Sequence, residues 1–496
     1  MVELDEIINI ASKRGFFFPS AEIYGAKAGF WTYGHLGVLM KIKFESLWRD
    51  YFLSLDDNFF EIEGSSILPR KVFEGSGHLS NFKDPMVECL KCKTRYMADS
   101  LIEDKTKKTV TDIKDMQIII SREKIKCPKC GGEFGEVKFF NMMFDVKIGA
   151  LAEEEAYLSP ETAQNPFLSF KREFFALREK LPLGLAMIGK AYRNEISPRQ
   201  GFFRLREFTQ AELQIFFDPK DIDKCEGWNK IKANKVNVLL YKKSKALEIT
   251  LEELNSKNKI PKYYLFLLDR MYNFYLDKLK IDSQKARFRE LGENERAFYN
   301  KIHFDLELDL SSLGGFKEVA GLHYRGDHDL LGHQKHSGIN LEVVSDGKKI
   351  LPYIIEVSFG VDRNIFALLD IFYKKEKEWT LFAFPANLAP INVTVLPLVN
   401  KDGLEVFAQE IFNNLRKDFN CAYDDSGSIG RRYARNDEIG TSFCITIDYD
   451  SLKKKDITIR DRNTTKQVRI KIKDLKEVIN QLIQGKELSN FGKFIN

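Results

Sequence analysis

Residues 186–214 read AMIGKAYRNEISPRQGFFRLREFTQAELQ, and no other stretch restricts the fold of this chain so tightly. Small and apolar residues recur at every second position on both sides of a basic break containing Pro198 and Gly201. That period predicts two antiparallel strands joined by a loop. On the first strand Gly189, Ala191, Arg193 and Glu195 share a face. The returning strand sets Leu205, Ala211, Leu213 and Ile215 on one face and Arg204, Arg206, Phe208, Gln210 and Glu212 on the other. Two very small residues beside an arginine and a glutamate leave a charged hollow instead of a packed surface. Cations, one aromatic ring and carboxylates suit a nucleotide lying beside a small zwitterion. A solvated face of ion pairs shows the same alternation, so distant segments must decide between the two.

A chain of 496 residues exceeds what one core supports, which implies roughly two to four domains. Seven cysteines, four of them in CxxC pairs, point to a reducing, cytoplasmic setting. Cys89-Leu-Lys-Cys92 and Cys127-Pro-Lys-Cys130-Gly-Gly supply four sulfurs for a tetrahedral Zn²⁺. With no ligand position left open, such a zinc is structural. No apolar run approaches the roughly 18 residues of a membrane span, and MVELDEIINIASKRG reads as a short amphipathic helix with acids, not a secretory signal. The net charge of +5 is slight, so nucleic-acid binding must come from local patches.

Tyr353 to Leu369 begins as a strand with Glu356 and Ser358 on one face, and Gly360 releases it into a helix whose first turn carries Arg363. A helix N-terminus beside an arginine is an anion site, fit for a triphosphate. Residues 323–336, HYRGDHDLLGHQKH, hold four of the seven histidines. The Lys-rich 217–302 segment contains YYLFLLDRMYNFYLDKL, an aromatic stripe at helical spacing that reads as core. Its lysines read as a solvated helix face.

Arg193-Asn-Glu195, a basic loop and Arg206-Glu-Phe208 resemble motif 2 of class II aminoacyl-tRNA synthetases. The wording RNEISPR…REFTQAE is similar to homodimeric glycyl-tRNA synthetases of the archaeal and eukaryotic type. Val38–Phe52 followed by a strand over Phe60–Pro69 resembles motif 1, the dimer-building element of the class. EVSFGVDR resembles motif 3, EPSFGxxR, with Val357 in place of Pro. Leu158-Ser-Pro-Glu-Thr-Ala-Gln resembles LRPETAQG, departing at Ser159, Asn165 and Pro166. Cys92-Lys-Thr-Arg95-Tyr resembles CxxRYRAD. Arg325 and Asp327 match an RxDxDLxxH stretch that is not a metal site in the family, while His323 and Tyr324 depart from it. GRRYARNDEIGTSFC (from Gly430) and RDRNTTKQVR (from Arg460) resemble anticodon-binding segments of class IIa synthetases.

The resemblance implies an α+β chain: a class II antiparallel sheet flanked by helices (1–85, 142–217 and 303–384), interrupted by a zinc-ribbon hairpin (86–141) and a helical insertion (218–302). A C-terminal α/β anticodon-binding domain (385–496) follows. It implies ATP- and Mg²⁺-dependent ligation of glycine to tRNA(Gly) through glycyl-adenylate by a homodimer, with dinucleoside tetraphosphate synthesis as a side activity. Arg193, Glu195 and Arg363 would be catalytic. Arg193, Asn194, Glu195, Phe203, Arg204, Arg206, Phe208, Glu318, Val319, Gly360 and Arg363 would hold ATP. Arg95, Glu161, Phe208, Glu212, Glu356 and Ser358 would hold glycine, with Gln164 near. Arg431, Arg432, Arg435, Asp437, Glu438, Arg460 and Arg462 would meet tRNA. From Leu388 onward 18 Lys and Arg face 15 Asp and Glu, so this part carries much of the excess charge.

Overall fold

The computed structural model describes residues 3–106, 110, 112–151, 153–196, 198, 201–376 and 379–495. Nine strands build the main sheet: β1 (Phe59–Glu61), β2 (Leu183–Tyr192), β3 (Glu207–Phe217), β4 (Lys235–Leu239), β5 (Leu247–Thr250), β6 (Ala286–Glu290), β7 (Ile302–Leu310), β8 (Gly315–Gly326) and β9 (Tyr353–Gly360). Their spatial order is β5-β4-β6-β7-β8-β9-β3-β2-β1. The six strands from β6 to β2 pair antiparallel, and β4–β6 and β2–β1 are the parallel junctions at the flanks. The helices that matter below are α1 (Leu4–Arg14), α2 (His35–Phe52), α3 (Gln164–Ala176), α4 (Lys262–Asn273), α5 (His328–Ser337), α6 (Val361–Phe372) and α7 (Ile429–Glu438).

Alternation decides which face of the sheet packs. Ala211, Leu213 and Ile215 of β3 join Val357 and Phe359 of β9 and Leu322 of β8 in one buried cluster with Trp48 and Phe52 of α2 and Ile365 of α6. Each such side chain contributes about 1.5–3 kcal/mol on burial, so this face anchors the sheet. The opposite face is left free for polar groups. Aromatic residues of α4 pack as core, and the Tyr264 hydroxyl donates to the Leu322 carbonyl at 2.6 Å.

Two expectations change. Phe60–Pro69 is not one strand: β1 ends at Glu61, and Ile67–Pro69 pairs instead with Glu154–Leu158 in a separate three-stranded sheet. Gly64-Ser65-Ser66 breaks it, with the Ser65 hydroxyl bonded to the Ile67 amide and carbonyl. Residues 218–302 are not simply helical either, because β4, β5 and β6 extend the main sheet. Val236 and Val238 point inward between Lys235 and Asn237, a half-buried strand masked by surrounding lysines.

Residues beyond Pro385 form a second core, in which Val393, Val395, Ile445, Ile457, Ile459 and Val468 pack against Ile479 and Leu482. Its sheet is mixed: Val393–Pro397 pairs parallel with Cys421–Tyr423 and Phe443–Ile447, and the remaining strands add antiparallel. Among the described residues no helix is long and apolar enough to cross a membrane.

Candidate active site

The polar face of β3, β9 and β8 floors a cavity of about 220 Å³. Register explains its lining: Glu212 lies opposite Ser358 and Gln214 opposite Glu356, while Gly321 and His323 of β8 lie opposite Ser358 and Glu356. Period two therefore brings every second residue of three strands into one hollow.

The deep end is acidic. Arg325 is fully buried and holds three carboxylates: Asp329 in a two-pronged pair at 2.7 and 2.8 Å, Glu356 at 2.8 Å and Glu161 at 3.3 Å. The Tyr299 ring lies 3.9 Å from the guanidinium. Among the described residues Glu212 has no cation of its own; it accepts from the Thr162 hydroxyl at 2.7 Å and the Ser358 hydroxyl at 2.8 Å. Burial first, then the charges of Glu356 and Glu161, push its carboxyl up to about 8. Burial also raises Glu356 despite Arg325. At Glu161 burial is outweighed by Arg325 and His78, so that carboxyl stays well below its ordinary value. Three carboxylates on one arginine, with the Glu212 carboxyl beside them, create a strong preference for a further small cation.

The outer end carries guanidinium groups. Arg193 lies between the rings of Phe82 and Phe208, 5.5 and 5.2 Å from their centroids, and its Nε donates to the Pro160 carbonyl at 3.1 Å. Among the described residues no carboxylate pairs with it, which leaves its terminal nitrogens for an anion. Arg204 pairs with Glu195 at 2.6 Å, and Arg363, in the first turn of α6, with Glu318 at 3.0 Å. The charge of Glu318 raises Arg363 further above its ordinary value. Arg363 also lies 5.4 Å from the Phe203 ring. Asp362 ties the helix start to β3 by accepting the Thr209 amide, and accepts the Tyr33 hydroxyl at 2.5 Å.

Residues 144–372 match the model of the tRNA synthetase class II core domain (G, H, P, S and T), and residues 392–482 match that of the anticodon binding domain. The glycine–tRNA ligase of Methanococcus vannielii is 35% identical, covering 97% of this chain and 100% of its own length. That of Pyrococcus abyssi is 37% identical over 96% and 98%. The chain belongs to the glycine–tRNA ligase family. A prolyl-tRNA synthetase from Cryptosporidium parvum, solved with L-proline and AMP, shares the fold with a TM-score of 0.59 at 13% identity, covering 97% of this chain and 75% of that one.

In this ligase the cavity brings together Arg193, Glu195, Phe203, Arg204, Phe208 and Glu212 from the β2–β3 region, Glu318 from β8, Glu356, Ser358, Gly360 and Arg363 from the β9–α6 junction, and Glu161 before α3. Loop residues 197, 199 and 200 lie outside the described residues. Four expected contacts lie elsewhere. Arg206 spends its guanidinium on backbone carbonyls, two bonds to Glu195 at 3.1 and 2.7 Å and one to Ala28 at 2.8 Å, so it staples the loop base. Asn194 bonds through its amide to the Met142 carbonyl. Val319 is buried in the core, and its carbonyl accepts from Asn364 at 3.0 Å. Arg95 pairs with Glu88 at 3.1 Å on the cysteine hairpin and is not among the residues lining the cavity. Asn165 and Pro166 lie in the first turn of α3, where proline removes no intrahelical bond.

The anticodon-domain expectations divide similarly. Arg432 is buried and bonded to the carbonyls of Pro397, Asp425 and Gly427. Asp437 and Arg460 form a buried two-pronged pair at 2.8 and 3.0 Å, and Arg462 is buried against the carbonyls of Gly440 and Phe384. Glu438 pairs with Arg14 of α1. The first four hold the domain together, and Glu438 ties it to the N-terminal helix. Arg431 is exposed, and Arg435 lies at the rim, paired with Asp424 at 2.7 Å.

Sequence reading missed Arg325 as the hub, together with Asp329, Thr162 and Tyr299. The four-residue spacing of Arg325 and Asp329 was a usable signal, since a strand end running into a helix brings them onto one side. Instead Asp327 was matched, and it lies 3.8 Å from Lys301. Cys89, Cys92, Cys127 and Cys130 converge with all sulfurs within 4.8 Å of one another, a cluster able to hold a metal.

Proposed function

We propose that the chain ligates glycine to tRNA(Gly) at the expense of ATP, activating glycine as an enzyme-held adenylate. The observation that carries this reading is the pairing of an over-acidic hollow with a guanidinium next to it that has no carboxylate partner among the described residues. Glycine's ammonium is assigned to Glu212, Glu356 and Ser358, with Glu161 behind them. Arg193 takes the glycine carboxylate and the α-phosphate together. The carboxylate is already ionised at neutral pH, so no protein base is needed. The obstacle is repulsion between two anions, which positioning and positive charge relieve. Phe208 stacks on adenine, with Glu195 at its amino edge. Arg363 and Arg204 hold the terminal phosphates by exchanging their carboxylate partners. Glu318 at the cavity rim suits the Mg²⁺ that class II synthetases use with ATP, an ion that neutralises phosphate charge.

The terminal ribose hydroxyl of tRNA then attacks the glycyl carbonyl, releasing AMP. Without tRNA, the γ-phosphate of a second ATP attacks the adenylate phosphorus instead, expelling glycine and yielding a dinucleoside tetraphosphate. Arg431 and Arg435 are the accessible arginines for anticodon contact, since Arg432, Arg460 and Arg462 are consumed internally. We assign a homodimer in the cytoplasm. The four thiolates suit a structural Zn²⁺: Zn–S bonds of about 2.3 Å put sulfurs about 3.8 Å apart, near the 3.5 and 3.6 Å of Cys89–Cys130 and Cys92–Cys127. Metal analysis of protein purified without chelator should give one zinc per chain, and a metal-free folded hairpin would refute the assignment.

The deciding experiment is exchange of labelled pyrophosphate into ATP, run separately with glycine, alanine, serine and proline. Glycine alone should support it; indifference to glycine sinks the reading. Glu356→Gln should raise the glycine KM about 10- to 100-fold, the worth of a charged hydrogen bond, and leave the ATP KM nearly unchanged. Equal losses would count against an ammonium contact. Glycine binding should also depend on pH. Below about 8 the Glu212 carboxyl carries a proton, and it must lose that proton to attract an ammonium. The glycine KM should therefore fall as pH rises from 6 towards 8, by up to about tenfold per unit, and Glu212→Gln should flatten the profile. A flat profile in the unaltered protein would contradict the assignment.

A further inference from the structure

We propose that His323 is a specificity-determining wall of the amino-acid hollow, filling the space beside Glu356 and Ser358 into which any side chain larger than hydrogen would project. This rests on the glycine reading above.

The position is one where the chain departs from its family's pattern, so the resemblance assigned it nothing. On β8, His323 lies opposite Glu356 and Gly321 lies opposite Ser358. The imidazole does not stand straight out from its strand. Its Nε2 comes within 2.5 Å of where a Cβ on Gly321 would be, so the ring lies folded across that glycine, towards Ser358. The same Nε2 is 3.6 Å from the Glu356 carboxylate. Gly321 is thus required by the ring, and the two residues act as one block.

Two observations make the block stiff. The His303 ring lies against it with centroids 4.1 Å apart. Asn300 Nδ2 reaches His323 Nδ1 at 3.0 Å and His303 Nδ1 at 3.3 Å, bridging the pair. An amide nitrogen only donates, so both Nδ1 atoms accept and the His323 proton resides on Nε2, directed at Glu356. Burial first, then His303 and Arg325, hold the ring uncharged. A neutral donor leaves the charge of Glu356 for the ammonium, whereas a second cation at that spot would compete for it. The wall therefore excludes bulk without weakening the attraction that selects an amine.

One methyl pressed into a filled pocket is worth about 1–3 kcal/mol, or about 10- to 200-fold. The test measures kcat/KM in ATP–pyrophosphate exchange with glycine and with L-alanine for the unaltered protein, His323→Ala and Asn300→Ala. The alanine-to-glycine ratio should rise about tenfold or more in His323→Ala, and by a smaller factor in Asn300→Ala, where the ring is loosened but not shortened. An unchanged ratio in an active His323→Ala protein overturns the proposal. If that variant exchanges neither amino acid, Asn300→Ala decides: a raised ratio supports the wall, an unchanged one removes it. Absence of glycine exchange in the unaltered protein would sink the reading of the site itself, a result separable from either.

Discussion

Arg193→Ala is expected to reduce glycine-dependent pyrophosphate exchange by at least about 10³-fold while the protein stays folded. Two unit charges about 4 Å apart interact by about 4 kcal/mol at the effective dielectric of a protein site, and that energy corresponds to the stated factor. The unaltered guanidinium supplies it because no carboxylate among the described residues pairs with it: its Nε donates to the Pro160 carbonyl, and its neighbours are the rings of Phe82 and Phe208. Arg204 and Arg363 do not substitute, since both are assigned to the terminal phosphates, whose arrival releases their carboxylates Glu195 and Glu318. Unfolding temperature should move little, because no buried charge loses a partner. Exchange that survives the substitution would refute the assigned role.

Arg325→Met should be the most destabilising single change in the catalytic region, costing about 3–5 kcal/mol, as expected when a buried charge cluster loses one partner. Asp329, Glu356 and Glu161 would be left facing one another without their shared cation. The sign of the pH effect follows. Carboxyls crowded in this way are raised above their unfolded values, so they destabilise the fold above those values and relent as acid protonates them. The gap in unfolding temperature between variant and unaltered protein should therefore narrow from about pH 8 to about pH 5. Glycine activation should be lost throughout, because Glu356 is no longer held in place. A variant that melts normally and keeps its glycine KM would show that Arg325 is not the hub.

The two strands around residues 186–214 were legible because a face that buries Ala211, Leu213 and Ile215 forces Glu212 to the other side. The β9–α6 junction was legible for the same reason, with Gly360 and Arg363 marking where the strand stops. What the chain hid was partnership. Whether an arginine meets phosphate or a backbone carbonyl depends on which loop lies within reach, and Arg206 and Arg432 gave no sign of their carbonyl partners. Arg325 sat in plain view, but its three carboxylates come from segments 4, 31 and 164 residues away. Strands β4 to β6 were missed because each alternation is only four or five residues long, too short to stand out from the surrounding polar sequence.

Those three flanking strands bear on attempts to trim the molecule. Their side chains Val236, Val238 and Phe288 lie in the same apolar cluster as Val357 and Phe359 beneath the catalytic floor. Cutting out 218–302 would leave β7 with an open edge and uncover oily surface directly under the chemistry. The region behaves as a keystone course in an arch, and a minimal enzyme would have to keep it.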